Sequence, residues 1–328
     1  MPSTLSRCLA AVLVGAAAVS TYGADTWKPS RPVSFIVANA VGGTGDRTVR
    51  EIQRVVQAHR LVDVPIVIVN RPGGNGTIAM NQLVASRGDG HVLLLFSGAN
   101  LSAHIAGVTP YGHGDFSPIA IIMDEYFGVN VQANSPVASI ADLLERLRKN
   151  PAALSFGTAS LTGTNYTSLA AALKKGGIDV KRVKAVGFPG GAEITMALLG
   201  GHVDVTHSGL SNMAEQLIAG KMRTLVVSGP QRMWGPFANV PTWREAGVDF
   251  SASSWRGVMG PAGLTDAQVT FWEEVFRRVL TSEEWTRDLK ENYWVAKYSG
   301  ATETRRRLDA EYLEIKQIMT ELGMTKGK

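Results

Sequence analysis

The stretch Pro32 to Asp46, PVSFIVANAVGGTGD, joins a short apolar run to a glycine turn, and RTVREIQRVVQAH follows at once. Val33 to Val37 read as a buried strand, Gly42-Gly43-Thr44-Gly45 breaks it, and Val49, Ile52, Val55 and Val56 then recur at helical spacing. A strand that feeds a helix through such a turn leaves the first helical N–H groups unpaired. The positive end of the helix dipole favours a negative group at the same place. An anion can sit there, and glycine lets it approach the backbone because no Cβ intervenes. Asp46 reads first as a helix N-cap, with a ligand contact as the alternative. Dinucleotide folds, phosphate loops and small-anion sites share this glycine pattern, so the turn points to an anionic ligand without identifying it.

Composition narrows the class. The chain has 328 residues, 45% of them hydrophobic and 19% charged, which suits a globular protein of two ordinary domains. Its formal charge of +5 comes from 33 basic and 28 acidic residues. The basic residues are scattered, with Arg305-Arg306-Arg307 as a short run, so nucleic acid is not expected as a partner. A modest positive balance still suits capture of anions. Near the N-terminus, Arg7 precedes the apolar run Cys8 to Val19, and Gly23 and Ala24 offer a cleavage site, so residues 1–24 read as a secretory signal. Cys8 is the only cysteine and falls inside that segment, leaving no disulfide or cysteine-ligated metal in the mature chain.

Further along, VDVPIVIVN (Val62 to Asn70) reads as a second strand, running into the turn RPGGNG and the helical TIAMNQLVAS. HVLLLFSG (His91 to Gly98) reads as a third strand. Strands alternating with helical segments predict βαβ units and a parallel sheet. From Phe116 to Asn134 apolar runs continue without a helix between them, and a crossing between domains is expected here. Ser139 to Asp142 resembles a capping box before ADLLERLRKN. The opening theme then recurs: LSFGTASLTG into a helix, VKAVGF into Phe188-Pro189-Gly190-Gly191, VDVTHSG into NMAEQLIAG, and MRTLVVSG. Two α/β lobes are therefore expected, residues 25–125 with 229–328 and residues 126–228. The chain should cross back near Val226 to Pro230, with a helical tail (Asp266 to Leu280, Glu283 to Asn292, Glu303 to Leu322) on the first lobe. Ligands of open α/β sheets sit at the carboxyl ends of strands, and two lobes joined by two crossings can close by hinge motion.

Other chemistries fit less well. A dinucleotide fold wants an acidic residue at the end of its second strand, where this chain has Asn70-Arg71. His202, Asp204 and His207 are possible metal ligands, but on a strand 202 and 204 share a face that 207 does not. No Gly-x-Ser-x-Gly elbow occurs. Asp204 reads as structural, because an acid beside an anion site would repel the ligand. Trp243 and Trp255 read as core anchors, with framing of the cleft as the alternative.

Taken together and in order, WKPSRPVSFIVANAVGGTGD, VNRPGGNGTIA, DGHVLLL, DFSPIA, LLGGHVDV, AGKMRTLVVSG, NVPTWREAG and SSWRGVMGPAG resemble the solute-binding receptors of tripartite tricarboxylate transporters, also called Bug proteins. The resemblance covers nearly the whole mature chain. It implies a monomeric periplasmic binding protein of the two-lobed α/β type II (Venus-flytrap) class, with no cofactor. Such a receptor hands a mono- or dicarboxylate to the membrane permease subunits of a tripartite transporter and is not an enzyme. An exported α/β oxidoreductase of the NADP type, or a sensing receptor without a transporter, stands as the alternative.

In the family one carboxylate is gripped between the first strand–helix loop and the facing loop of the second lobe, largely by backbone amides. Carried onto this chain, the first loop supplies Asn39, Val41, Gly42, Gly43 and Asp46, and the second supplies Thr158, Ala159, Ser160 and Thr164. The amides of Gly42, Gly43, Thr158, Ala159 and Ser160 are the expected grip. Gly98, Asn100, Phe188, Gly190 and His207 would line the rest, with specificity expected around Asn39, Asn100, Phe188 and His207. The chain departs from the family pattern at several of these places. Ala38-Asn39 stand where proline and phenylalanine are common, Thr167 where many members carry histidine, and Phe188-Pro189-Gly190 where Tyr-Lys-Gly is frequent.

Overall fold

The computed structural model describes residues 27–325 apart from Gly43 and Pro189; the expected export segment, Cys8 included, lies outside the described residues. In chain order the elements are β1 (Val33–Val37), α1 (Thr44–Ala58), β2 (Ile66–Asn70), α2 (Thr77–Val84), β3 (Val92–Ser97), α3 (Gly98–Ile105), β4 (Phe116–Gln132), α4 (Ile140–Lys149), β5 (Ser155–Thr158), α5 (Thr164–Lys175), β6 (Lys184–Gly187), α6 (Gly191–Leu199), β7 (Val205–Gly209), α7 (Leu210–Ile218), β8 (Met222–Val227), β9 (Ser253–Pro261), α8 (Asp266–Leu280), α9 (Glu283–Glu291), β10 (Trp294–Gly300) and α10 (Ala301–Glu321).

β4 ties the molecule together. Its first part, Phe116 to Tyr126, pairs antiparallel with β9, and Ala120 to Glu125 also pairs with β10. From Phe127 onward β4 pairs instead with β7 and β8. The first half of the fold carries β2-β1-β3 in parallel, closed by β9 antiparallel to β3; the second carries β6-β5-β7 in parallel. The parallel βαβ units expected from the alternating pattern are present in both halves. The sheet as a whole is mixed, because β4 runs through both halves, antiparallel to β7 and β8 in the second, and β9 and β10 join the first half antiparallel. β9 and β10 escape sequence reading for a simple reason: Gly257 and Gly260 interrupt one, and the other is half exposed.

Each half has its own core. α1 buries Val49, Ile52, Val55 and Val56 against Val33 and Phe35, with Trp272 and Phe276 of α8 behind them. Those four side chains contribute roughly 6 to 12 kcal/mol relative to exposure, an upper bound that still outweighs the poor helix propensity of three valines and an isoleucine. In the second half Leu143, Leu144 and Leu147 of α4 pack on Leu169 and Leu173 of α5 and on Val129 and Val131. α4 starts as its sequence predicts, with Ser139 accepting the Asp142 N–H at 3.2 Å and Asp142 accepting the Ala138 N–H at 2.8 Å.

Two features of the later chain differ from expectation. After β8 the chain first packs on the turn between α9 and β10, Trp234 stacking on Tyr293 and donating to the Lys290 carbonyl at 3.1 Å and Phe237 meeting the same ring; Trp243, Val248 and Phe250 then pack in the second core before β9 begins at Ser253. The tail also serves both halves. Leu308, Ile315 and Met319 of α10 join Phe96 and Trp255, whereas Ile318 and Leu322 lean on the second core, where Glu321 accepts from Lys174 Nζ at 2.7 Å. Trp243 and Trp255 are both fully buried.

A candidate anion site between the two halves

The ends of β1, β3 and β5 meet where the two halves face each other. After β1 the chain turns through Gly42, whose φ of +82° is a conformation glycine adopts readily. Asp46 is not the N-cap of α1 but the third residue of its first turn, and its carboxylate is fully engaged. Oδ2 accepts the Gly42 N–H at 2.8 Å and Arg50 Nε at 2.8 Å, and Oδ1 accepts Asn70 Nδ2 at 3.0 Å. Asn70 also donates to the Asn39 carbonyl at 3.0 Å. The Arg50 hydrogen bond, followed by those from Gly42 and Asn70, lowers the Asp46 pKa to about 2 against the opposing effect of burial. Asp46 therefore fixes the loop, and the Gly42 amide expected to hold an anion is already used by Asp46.

Asn39 is the first-loop residue that reaches the cleft; a Cβ on Gly45 would overlap its Oδ1. At the end of β3 the Ser97 N–H donates to Asn100 Oδ1 at 2.9 Å, which ties Asn100 to the first turn of α3. Its Nδ2 is left for the cleft. Gly76 permits this placement: its φ is +92°, and a Cβ there would stand 2.6 Å from Asn100 Nδ2.

From the second half, the loop after β5 and the first turn of α5 bring Ala159, Ser160, Thr162, Gly163, Thr164 and Asn165 to the same space. Thr162 N–H donates to Ser160 Oγ at 3.3 Å, and the first intrahelical bonds run from Tyr166 and Thr167 to the Gly163 carbonyl. Among the described residues, the amides of Ala159, Ser160, Thr164 and Asn165 donate to no protein acceptor. They supply unpaired donors at the N-terminus of a twelve-residue helix.

These surfaces enclose a cavity of about 500 Å³, within the range of small-molecule sites. Arg256 of β9 also lines it, a residue that sequence reading left without a role. Arg256 stands opposite Ser97 of β3 in the sheet register, and its side chain is only 16% exposed. Its Nη1 donates to Ser254 Oγ at 2.8 Å and to the Trp255 carbonyl at 3.1 Å. Nη2 lies 4.0 Å from Glu125 Oε2, beyond hydrogen-bond range. Burial pulls the Arg256 pKa down and Glu125 opposes it; a guanidinium stays charged regardless. The available signal was a cation inside the apolar run SSWRGVMG, placed where a strand meets the cleft.

A larger cavity, about 630 Å³, lies behind the strands that join the halves. Its charges already answer one another: Arg307 Nη2 donates to Asp124 Oδ1 at 3.0 Å, Ser253 Oγ to the same oxygen at 2.7 Å, and Trp255 Nε1 to both oxygens of Glu311 at 2.8 Å. Asp124, Glu303, Glu311 and Glu314 line it together with Lys297, Arg306 and Arg307, so an anion would meet acids as well as cations there. The smaller cavity has no acidic residue among its described lining residues and one arginine. An anion is better placed in the smaller one.

Of the residues singled out from sequence, Asn39, Asn100, Ala159, Ser160 and Thr164 line this cavity together. Gly98 sits at its edge, where a Cβ would meet Thr164 Oγ1 at 3.0 Å. Val41 is 72% exposed and outside the cavity lining. Thr158 is fully buried beneath the loop, Phe188 packs with Ile194, Leu198 and Val203, and Gly190 is the N-cap of α6. His207 is fully buried beside Phe127, with ring centroids 4.8 Å apart and, among the described residues, no partner of hydrogen-bond geometry for either ring nitrogen. Burial pushes its pKa down to about 3 against the opposing Asn165 backbone, so it is neutral. It cannot read the ligand from inside the core, where an inward-facing strand position has placed it. Gly43 lies outside the described residues. Asp204 accepts from Ser155 N–H at 2.8 Å and Ser155 Oγ at 2.7 Å, a structural clasp.

Known proteins share this architecture. The TctC solute-binding protein of Polaromonas has a TM-score of 0.77 at 23% identity, covering 90% of this chain and 99% of that one, a likeness of fold. A Rhodopseudomonas palustris protein solved with adipate has a TM-score of 0.76 at 27% identity, covering 90% of this chain and 99% of that one. BugT of Bordetella pertussis is 26% identical over 273 residues, 81% of each chain. The family model described as "Tripartite tricarboxylate transporter family receptor" matches residues 49–324. Its match begins inside α1 and spans most of the molecule, with parts of both halves, and the chain belongs to the tripartite tricarboxylate transporter receptor family.

Proposed function

We propose that this chain is an exported receptor that captures a small organic acid between its two halves and delivers it to the permease of a tripartite transporter without chemical conversion. One observation carries the reading: a single cavity lined from both halves by unpaired donors and an arginine, with no acid among its described lining residues. The carboxylate meets the open amides of Ala159, Ser160, Thr164 and Asn165 on one side and Asn39 and Asn100 on the other. Because the two sides belong to different halves, the ligand gains its full set of contacts only when they are together, which supplies a driving force for closure. The halves divide at β4 and again at the entry to β9. The adipate bound by the R. palustris relative supports an organic acid as the ligand class. The basic, apolar and small-residue pattern of residues 1–24 supports export.

Thermal-shift screening of the mature protein against a panel of organic acids, followed by calorimetry and by mass spectrometry of the recovered ligand, tests the reading. Saturable stabilisation with the acid recovered unchanged is expected. Conversion of the acid, or no response to any acid in the panel, would overturn it.

A further inference from the structure

We propose that Arg256 reads the far end of the captured acid, so that the site selects dicarboxylates over monocarboxylates and ω-amino acids of the same length. This rests on the receptor reading above and names its substrate class. A guanidinium presents its donors along fixed edges. In Arg256 the Nη1 donors are used by Ser254 and the Trp255 carbonyl. Among the described residues, the Nε–Nη2 edge has no hydrogen-bond acceptor. Neither nitrogen is sealed from the cavity that the side chain lines. That edge is the one that takes a carboxylate side-on through two parallel bonds.

Glu125 does not occupy it. The Glu125 carboxylate is 4.0 Å from Nη2 at its nearest and is turned to Ser211 Oγ, from which Oε1 accepts a hydrogen bond. Glu125 offsets part of the arginine's charge and leaves its fork open. The second pole of the cavity, the amides of Ala159 to Asn165, belongs to the other half. A diacid can satisfy both poles at once and bridge the halves. A monoacid of the same length leaves the fork unpaired in a poorly solvated place, and an ω-ammonium would face the arginine with no described acid in the lining to receive it.

The test is isothermal titration of the wild type, R256Q and R256K with three six-carbon probes (adipate, hexanoate and 6-aminohexanoate) and the matched four-carbon set (succinate, butyrate and 4-aminobutyrate). Circular dichroism checks that each variant is folded. The wild type should bind the diacid of at least one set about tenfold or more tighter than its monoacid, with the amino acid weakest. R256Q should lose on the order of 10- to 100-fold for that diacid while the monoacid changes little. R256K keeps the charge without the planar fork and should fall between them; it carries the test if R256Q does not fold, with equal losses for diacid and monoacid overturning the proposal. Equal wild-type affinity for diacid and monoacid, or an R256Q loss of the same factor for both, would likewise overturn it. If none of the six probes binds but a monoacid in the screening panel does, the inference fails while the receptor reading stands. If no acid binds at all, both fail.

Discussion

Replacing Asp46 with alanine should unsettle the fold before it affects the ligand. The side chain is buried and accepts three hydrogen bonds, from Gly42 N–H, Asn70 Nδ2 and Arg50 Nε. Arg50 is 49% exposed, and its pair with Asp46 is worth at most about 1 kcal/mol. The other two bonds go to a buried, charged acceptor at about 1 to 2 kcal/mol each, and their loss leaves donors unpaired. The sum is about 2 to 5 kcal/mol. For a chain of this length that corresponds to a fall in Tm of roughly 3 to 8 °C in differential scanning calorimetry. Because the folded pKa is held near 2, below the ordinary carboxylate value, the Asp46 contribution is fully present above about pH 4 and is lost as pH falls through 2. The D46A penalty should therefore shrink in acid. Asp46 does not line the cavity, so the affinity of folded D46A for an organic acid should drop no more than a few-fold. An unchanged Tm combined with abolished binding would refute the reasoning and return Asp46 to the ligand.

Three other outcomes follow from the structure. Burial pushes the Glu311 carboxyl up to about 7, against the Trp255 hydrogen bond and Arg307. The folded protein thus holds a proton that the unfolded chain releases, and stability should decline between about pH 4.5 and 7 by on the order of 3 kcal/mol; chemical denaturation of E311Q across that range should show a flatter profile. Replacing Gly76 with alanine should cost about 1 to 2 kcal/mol of stability from its positive φ and weaken acid binding by displacing Asn100, whereas G114A, whose Cβ would meet nothing within 4 Å, should be near neutral in both assays. Trp272 donates to the Gly90 carbonyl at 2.8 Å while buried Trp243 Nε1 has no partner among the described residues; urea titration should show W272F costing about 1 kcal/mol or more beyond W243F.

Local chemistry made much of this molecule readable in advance. The strand, glycine turn and helix at its opening are written in adjacent residues, as are the Ser139 cap and the spans of α8 and α9, because periodicity and capping act over a few positions. β9, β10 and the long passage of β4 through both halves depend on partners far away in the chain, and nothing near Trp294 announces a strand whose neighbour is Ala120 to Glu125. The site divides in the same way. Asn39, Asn100, Ala159, Ser160 and Thr164 belong to loops and first helical turns that follow strands, where a βα pattern already places ligands, and they share the cavity. Asp46 and His207 are polar residues close to it in sequence that the fold turns to internal use, the first as a clasp and the second buried against Phe127. Arg256 reaches the cavity only because β9 returns beside β3, a long-range pairing that no local pattern near residue 256 expresses.

The central claim is that one organic anion is held between Asn100 and the Ala159–Asn165 turn. A crystal structure grown with the acid that most raises Tm tests it directly. The account predicts electron density for that acid in the cavity of about 500 Å³, with a carboxylate within hydrogen-bond distance of the Ser160 to Asn165 amides and of Asn100 Nδ2. Density in the larger cavity beside Asp124 and Arg307, with the smaller one holding only solvent, would contradict it.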